Sequence, residues 1–365
     1  LKRVRWISSR TMGGLFSKSP PAVQTDCVHN EQRITKTHSA LSAQLQTRGL
    51  DEDAIRSAAL SFANGQPGFY ANSPWSLPPK AVRVIALPID DVTLNDKSGR
   101  AMSRVALQAA AALGAALPIG TGYWIPPAGT LHTTILHPGI SPTARTYKRQ
   151  LAVEARRALN LMKPGLTLAP LAVELERELR TAQQLAAGIP VNLSLVAERL
   201  ALTSEGVLLL LLRPAVDSPA ACVPSLRAAA SAAFPRAARK QTSGLIHASL
   251  LRIWSLPPAE RGGRQAPLSS HGGAYGYGPN STAVRTARQV VDAWTPRVRG
   301  IRAEIRGLLY VRETQIMTLK GEWHRLAFGS ANAPTRSLRR GLRSLAETLA
   351  EGGTRPGYDH DRDHG

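Results

Sequence analysis

Only two cysteines occur among the 365 residues, Cys27 and Cys222. That scarcity excludes a disulfide framework and an all-cysteine zinc site, and both thiols are expected to be reduced and structural. Aromatic residues are also few, at 5%, so Ala and Leu carry most of a 43% hydrophobic share. That share suffices for a core and argues against disorder. Long apolar runs are missing. Val105–Leu117 is interrupted by Gln108 and Gly114, and Val207–Leu212 falls far short of the roughly 20 residues that span a bilayer. No membrane segment is expected. Acidic residues are outnumbered 46 to 25 by Lys and Arg, for a formal charge of +21. Nearly all of that excess is arginine scattered along the chain, so it supports binding to phosphates or nucleic acid only weakly.

The length fits one large or two small domains, and no repeat of solenoid period is visible. Residues 1–30 form a basic segment carrying Lys2, Arg3, Arg5, Arg10 and Lys18, which fits an organelle transit sequence or an ordinary basic tail. An intracellular protein is expected, in the cytoplasm or, if the segment directs it, in an organelle. From 31 to 80 the pattern gives a helical extension and a linker. Leu41, Leu45, Ile55 and Phe62 recur at helical spacing, and Gly49 with Asp51-Glu52-Asp53 breaks the run into two helices.

The stretch 81–329 reads as the main domain, with lobes of about 81–214 and 215–329. Strands are expected at Ala81–Pro88, Gly129–Leu136, Gly244–Trp254, Gly300–Val311 and Met317–Phe328. Pro190–Leu202 and Gly206–Arg213 form a hairpin around Thr203-Ser204-Glu205. Helices are expected at Arg104–Leu117, Thr143–Leu161, Val223–Phe234 and Ala283–Val298, while Ala169–Ala186 fits strand or helix. Residues 330–365 give a C-terminal helix, Ser337–Leu349, and a disordered tail whose "HDRDH" supports no more than adventitious metal binding. The two halves repeat one element order, and strands that pair through hairpins between helices favour an α+β fold.

Of nine histidines, only His132 and His247 are followed two positions later by a hydroxyl residue and then an aliphatic one: His132-Thr133-Thr134-Ile135 and His247-Ala248-Ser249-Leu250. On a strand, His132 shares a face with Thr134, and His247 with Ser249. If the strands face each other, two imidazoles and two hydroxyls line one cleft. Such a set suits phosphoryl transfer. One neutral imidazole takes a proton from the attacking oxygen, the other gives one to the leaving oxygen, and the hydroxyls bind the non-bridging oxygens. This chemistry requires no metal and no cofactor. Buried strands with hydrogen-bonded polar residues are the plainer alternative.

These two motifs, 115 residues apart, resemble those of the 2H phosphoesterase superfamily, the LigT-like, RNA 2′,3′-cyclic phosphodiesterase and 2′-5′ RNA ligase-like group. The hairpin "AERLALTSEGVLLLLLRP" and the segment "LLYVRETQIMTLKGEWHRLAFG" are similar to the ends of its two lobes. The resemblance covers about 81–329. It implies a bilobal, pseudo-symmetric fold of two antiparallel sheets with outer helices and a central cleft. It further implies a phosphoesterase acting on a cyclic nucleotide or an RNA with a cyclic phosphate end. His132 and His247 would be the acid/base pair, with Thr134, Ser249 and Arg252 on the phosphate. Thr133 departs from the pattern, occupying a position more often aliphatic. The long stretch between Ser255 and Thr282 could close over the cleft, with Tyr275 or Tyr277 stacking on a base. A monomer is expected. The competing expectation is a nucleic-acid-binding or scaffold protein on the same fold without catalysis.

Overall fold

The computed structural model describes residues 22–63, 65–67, 82–91, 93–95, 97–138, 169–189, 193–215, 223–235, 237, 244–257, 277–315 and 318–329. The expected helices Thr143–Leu161 and Ser337–Leu349, the basic segment before residue 22 and Tyr275 lie outside these residues.

The helical pattern of the N-terminal extension folds as α1 (Ala22–Arg48) and α2 (Glu52–Ala59). Gly49 ends the first at φ 72°, a left-handed conformation that glycine adopts without strain. Asp51 caps the second by accepting a hydrogen bond from the Ala54 N–H at 3.0 Å. A short antiparallel pair, β1 (Phe62–Ala63) and β2 (Gln66–Pro67), follows; no strand is expected there from the sequence.

The main elements are β3 (Val82–Pro88), α3 (Lys97–Ala116), β4 (Gly122–Trp124) and β5 (His132–Leu136). After them come α4 (Ala169–Ala187), β6 (Leu193–Leu202), β7 (Val207–Pro214), α5 (Val223–Ala233) and β8 (His247–Ser255). The series closes with α6 (Thr282–Val298), β9 (Arg302–Ile305), β10 (Gly307–Glu313) and β11 (Gly321–Ala327). The ambiguous stretch from Ala169 is thus a helix, and the strand expected from Gly129 begins only at His132.

Helices accompany two antiparallel sheets, so the fold is α+β. One sheet has the order β11-β10-β3-β5, the other β4-β8-β7-β6-β9. One sequence expectation is corrected here. Gly300–Val311 is not a single strand, because β9 pairs with β6 while β10 pairs with β3 and β11. The chain changes sheets at Arg306-Gly307, and hydrophobic alternation cannot register a change of partner. Gly307 is required there, since a Cβ would lie 2.4 Å from the Leu326 carbonyl oxygen. Each sheet therefore joins strands from before and after residue 214.

Burial explains the leucine run of β7. It sits between β6 and β8 with both faces covered, which is why it lacks polar alternation. Leu208, Leu210 and Leu212 enter the main core, while Val207, Leu209 and Leu211 form a smaller cluster on the other face, against Leu41 of α1. The first sheet is divided in the same way. Ile85, Leu87 and Tyr310 join the main core, and Val84, Ala86, Leu309 and Val311 form a separate cluster on the opposite face. Among the described residues no helix is long and apolar enough to cross a membrane.

Gly49 also packs closely: a Cβ there would lie 2.2 Å from the Tyr277 carbonyl oxygen. Replacing it with Ala combines that overlap with a left-handed backbone, and the expected loss is about 1–3 kcal/mol. A lowered denaturant midpoint with an unchanged slope checks this.

Candidate functional site

His132 begins β5, the edge strand of the first sheet, and His247 begins β8, between β4 and β7 of the second. Along β5 the odd-numbered side chains Thr133 and Ile135 are buried, while His132 and Thr134 are half-buried. Along β8, Ala248 and Leu250 are buried, His247 is half-buried and Ser249 is exposed. Each histidine thus shares the less buried face of its strand with its hydroxyl partner. In cross-strand register His132 and Thr134 lie opposite Pro88 and Ala86, and His247 and Ser249 lie opposite Leu211 and Leu209. Ala86, Leu209 and Leu211 belong to the two smaller clusters, so both motifs face away from the main core.

Two side chains tie these strands together. Thr133, fully buried, donates its hydroxyl proton to the His247 carbonyl oxygen at 3.0 Å. The residue that departs from the family pattern is therefore the direct link between the motifs. Arg227 of α5, only 6% exposed, donates through Nη1 to the Leu245 carbonyl at 2.7 Å and through Nη2 to the Thr134 carbonyl at 3.0 Å. A planar guanidinium suits this task because its donors reach two acceptors in a fixed geometry. Burial lowers the Arg227 pKa to about 10, still high enough to keep it charged at neutral pH.

The two rings have different partners. His132 Nδ1 lies 2.8 Å from the Thr130 carbonyl oxygen, so it carries the proton and leaves Nε2 for chemistry. Thr130 belongs to a turn that Asp90 holds in place. The Asp90 carboxylate accepts from the Gly129 N–H at 2.7 Å and the Ser103 hydroxyl at 2.9 Å. Burial nonetheless raises the Asp90 pKa, outweighing those hydrogen bonds. His247 Nδ1, by contrast, is buried with no hydrogen-bond partner among the described residues. Burial pushes the His247 pKa down to about 4, helped by the charges of Arg227, His132 and His38. Burial also lowers the pKa of His132, against the favourable Thr130 contact.

Sequence reasoning gave no role to His38, Asp90 or Arg227. His38 reads as one turn of an ordinary helix, yet its side chain is fully buried and its Nδ1 lies 2.7 Å from the Glu198 Oε2 on β6. Its charge bears on His247. No local signal marks any of the three, because each acts on residues distant in the chain.

Arg252 reaches the motif face by an irregularity. Strict alternation from His247 would turn it to the opposite side. The β7–β8 register slips between Leu208↔Leu251 and Leu209↔Ser249, so Arg252 pairs with Val207 of the same small cluster as Leu209 and Leu211. It still lies about 15 Å along the strand from His247 at the usual rise per residue. Burial lowers its pKa and the nearby Glu205 carboxylate raises it. Arg252 thus lies farther along β8 from His247 than Ser249 does.

Tyr277 is not free to stack on a base. It is 5% exposed, part of the main core, and donates its hydroxyl proton to the Pro257 carbonyl at 2.9 Å. Burial and the Glu52 carboxylate raise its pKa. It anchors the chain just ahead of α6. Among the described residues no group of three His, Cys, Asp or Glu side chains gathers where it could hold a metal ion.

Because His247 is held below its unfolded value of about 6.5, the unfolded chain binds more protons than the native one between that value and about 4. The stability contribution is complete above pH 6.5 and is lost as pH falls toward 4, which chemical denaturation at several pH values will show. Replacing His38 with Asn removes the electrostatic influence of His38 on His247 and leaves the Glu198 carboxylate. The His247 pKa is expected to move up from about 4, read by NMR titration of the ring protons.

No protein-family model matches this chain, and no curated protein matches it.

Proposed function

We propose that this chain is a phosphoesterase of the 2H type, hydrolysing a 2′,3′-cyclic phosphodiester of a nucleotide or RNA end without a metal ion. The observation that carries the reading is the pairing of two imidazole-hydroxyl strands, fastened by the Thr133–His247 hydrogen bond and the Arg227 bridge. In the finer fold reading that goes with it, the motif faces are the walls of a central cleft between two pseudo-symmetric lobes. Both motif faces turn away from the main core, with Ser249 exposed and His132, Thr134 and His247 half-buried, which supports this.

The hydrogen-bonding environments divide the roles. His132 has a carbonyl acceptor at Nδ1, which favours its protonated form, whereas His247 has Arg227 beside it and no acceptor. The single shared proton therefore rests on His132. His247 takes a proton from the attacking water as the water oxygen bonds to phosphorus. His132 donates its proton to the departing ribose oxygen as the phosphorus–oxygen bond breaks. The products are a phosphate monoester and a free hydroxyl, and proton exchange with solvent restores the pair. Thr134 and Ser249, each about 7 Å along its strand from the histidine, bind the non-bridging oxygens where negative charge develops. Arg252, farther along β8, meets a more distant part of the substrate.

The four 2′,3′-cyclic nucleoside monophosphates, assayed in EDTA, should be turned over by the wild type. His132→Ala and His247→Ala should each lose on the order of 10²–10⁴-fold in kcat. Folded protein that turns over neither these nor RNA oligomers with cyclic ends would overturn the reading and favour a nucleic-acid-binding protein. Since the pKa values of both histidines are lowered, kcat/KM should peak below pH 6.5. It should fall toward neutral pH as the shared proton is lost, reporting macroscopic values of the pair.

A further inference from the structure

Along the β6 edge of the second sheet, α1, β6 and α6 line a cavity of about 320 Å³. Its lining includes three guanidinium groups, Arg199, Arg288 and Arg299, together with Ser42, Gln46 and a single carboxylate, Asp292. Two of the arginines have contacts within the protein. Arg199 Nε lies 3.3 Å from the Glu198 carboxylate, and Arg299 Nε donates to the Glu198 carbonyl at 3.3 Å. Arg288 stands on α6 one turn before Asp292 and is half-buried; its Nε, like that of Arg199, has no hydrogen bond among the described residues. Three like charges gathered around one cavity, with Asp292 the one carboxylate of its lining, repel each other, and an oxyanion between them relieves the repulsion. Phosphate fits this donor set best, since guanidinium groups meet its oxygens two at a time.

The sheet register relates this cavity to the histidines. Leu211 of β7 is paired with His247 on one side and with Arg199 on the other. Directly paired residues point to the same face, so Arg199 stands two strands from His247, about 10 Å away across the sheet. Leu41 of α1 covers the intervening strand, and the cavity opens beyond that helix. Its volume is at the small end of ligand sites, suited to one phosphate with part of its nucleoside.

We infer that the Arg199–Arg288–Arg299 cavity binds a backbone phosphate of a single-stranded RNA whose cyclic end lies between His132 and His247. The inference rests on the proposed activity for its substrate. It makes the natural substrate an RNA end rather than a free mononucleotide, because a mononucleotide has no second phosphate to place there.

The test uses the full chain and Arg288→Gln, a change at a side chain without a hydrogen-bonded partner at Nε. Binding of a single-stranded oligoribonucleotide lacking a cyclic end, followed by fluorescence anisotropy, should weaken at least fivefold. Its salt dependence should lose about 0.7 in log–log slope, the value for one phosphate contact on a single strand. Equal binding by both proteins overturns the inference, whatever the catalytic outcome. For hydrolysis, KM for oligomers with cyclic ends should rise in Arg288→Gln at constant kcat, while KM for the cyclic mononucleotides stays unchanged. An equal rise for both substrates would place Arg288 at the mononucleotide site and refute the second position. Inorganic phosphate and AMP serve as the small-ligand arm. If either protects the wild type thermally but not Arg288→Gln, and oligomer binding is equal in the two, the cavity is a site for small phosphates and the RNA assignment fails.

Discussion

The buried Arg227 guanidinium is the contact on which the site depends. It joins β5 of one sheet to the segment that leads into β8 of the other, through the Thr134 and Leu245 carbonyls, while Thr133 closes the gap to His247 directly. Strand carbonyls at a sheet edge need donor partners, and orphaned backbone groups in a protein interior are unfavourable. β5 is such an edge, so its outward carbonyls are available to α5 rather than to another strand. One side chain thereby satisfies the edge of one sheet and fixes it against the other. The same placement puts a fixed positive charge beside His247, so a structural device also sets the proton affinity of a histidine.

That coupling gives the site its electrostatic character. Imidazoles, guanidinium groups and the N-terminal helix converge, and carboxylates near them are few and already engaged. Glu198 is held by His38 and Arg199, and its pKa is lowered most by the His38 hydrogen bond, against burial. Asp91 is held by Thr93 and Arg325, and Asp90 supports the Gly129–Thr130 turn. α1 is part of this arrangement rather than an appendage: Leu41 covers the small cluster of the second sheet, and His38 reaches toward the motif face.

Much of this was legible in the chain. Alternation identified the two strands and the faces of His132, Thr134, His247 and Ser249, because a pleated backbone imposes a period of two wherever one face is buried. The hairpin around residues 203–205 followed from its turn residues, and the break at Gly49 from a helix stop followed by a start signal. The split of 300–311 between sheets was invisible, since a strand pattern has no mark for its hydrogen-bonding partner. The slip that brings Arg252 to the motif face was hidden too. A register shift depends on the neighbouring strand, not on the residues that shift.

Strand alternation in the chain marks two imidazoles, each sharing a face with a hydroxyl, as candidates for acid–base work. Packing between distant segments is what brings their strands together. Thr133 looked like a mismatch and proves to be a bridge, and Arg227 was one arginine among many until α5 carried it beneath both strands. His38 and Glu198, 160 residues apart, met only when α1 lay down on the second sheet. Local pattern fixes the face of a side chain, because strand geometry is local. What that face looks onto is set by packing between distant segments, and no short stretch of sequence contains it.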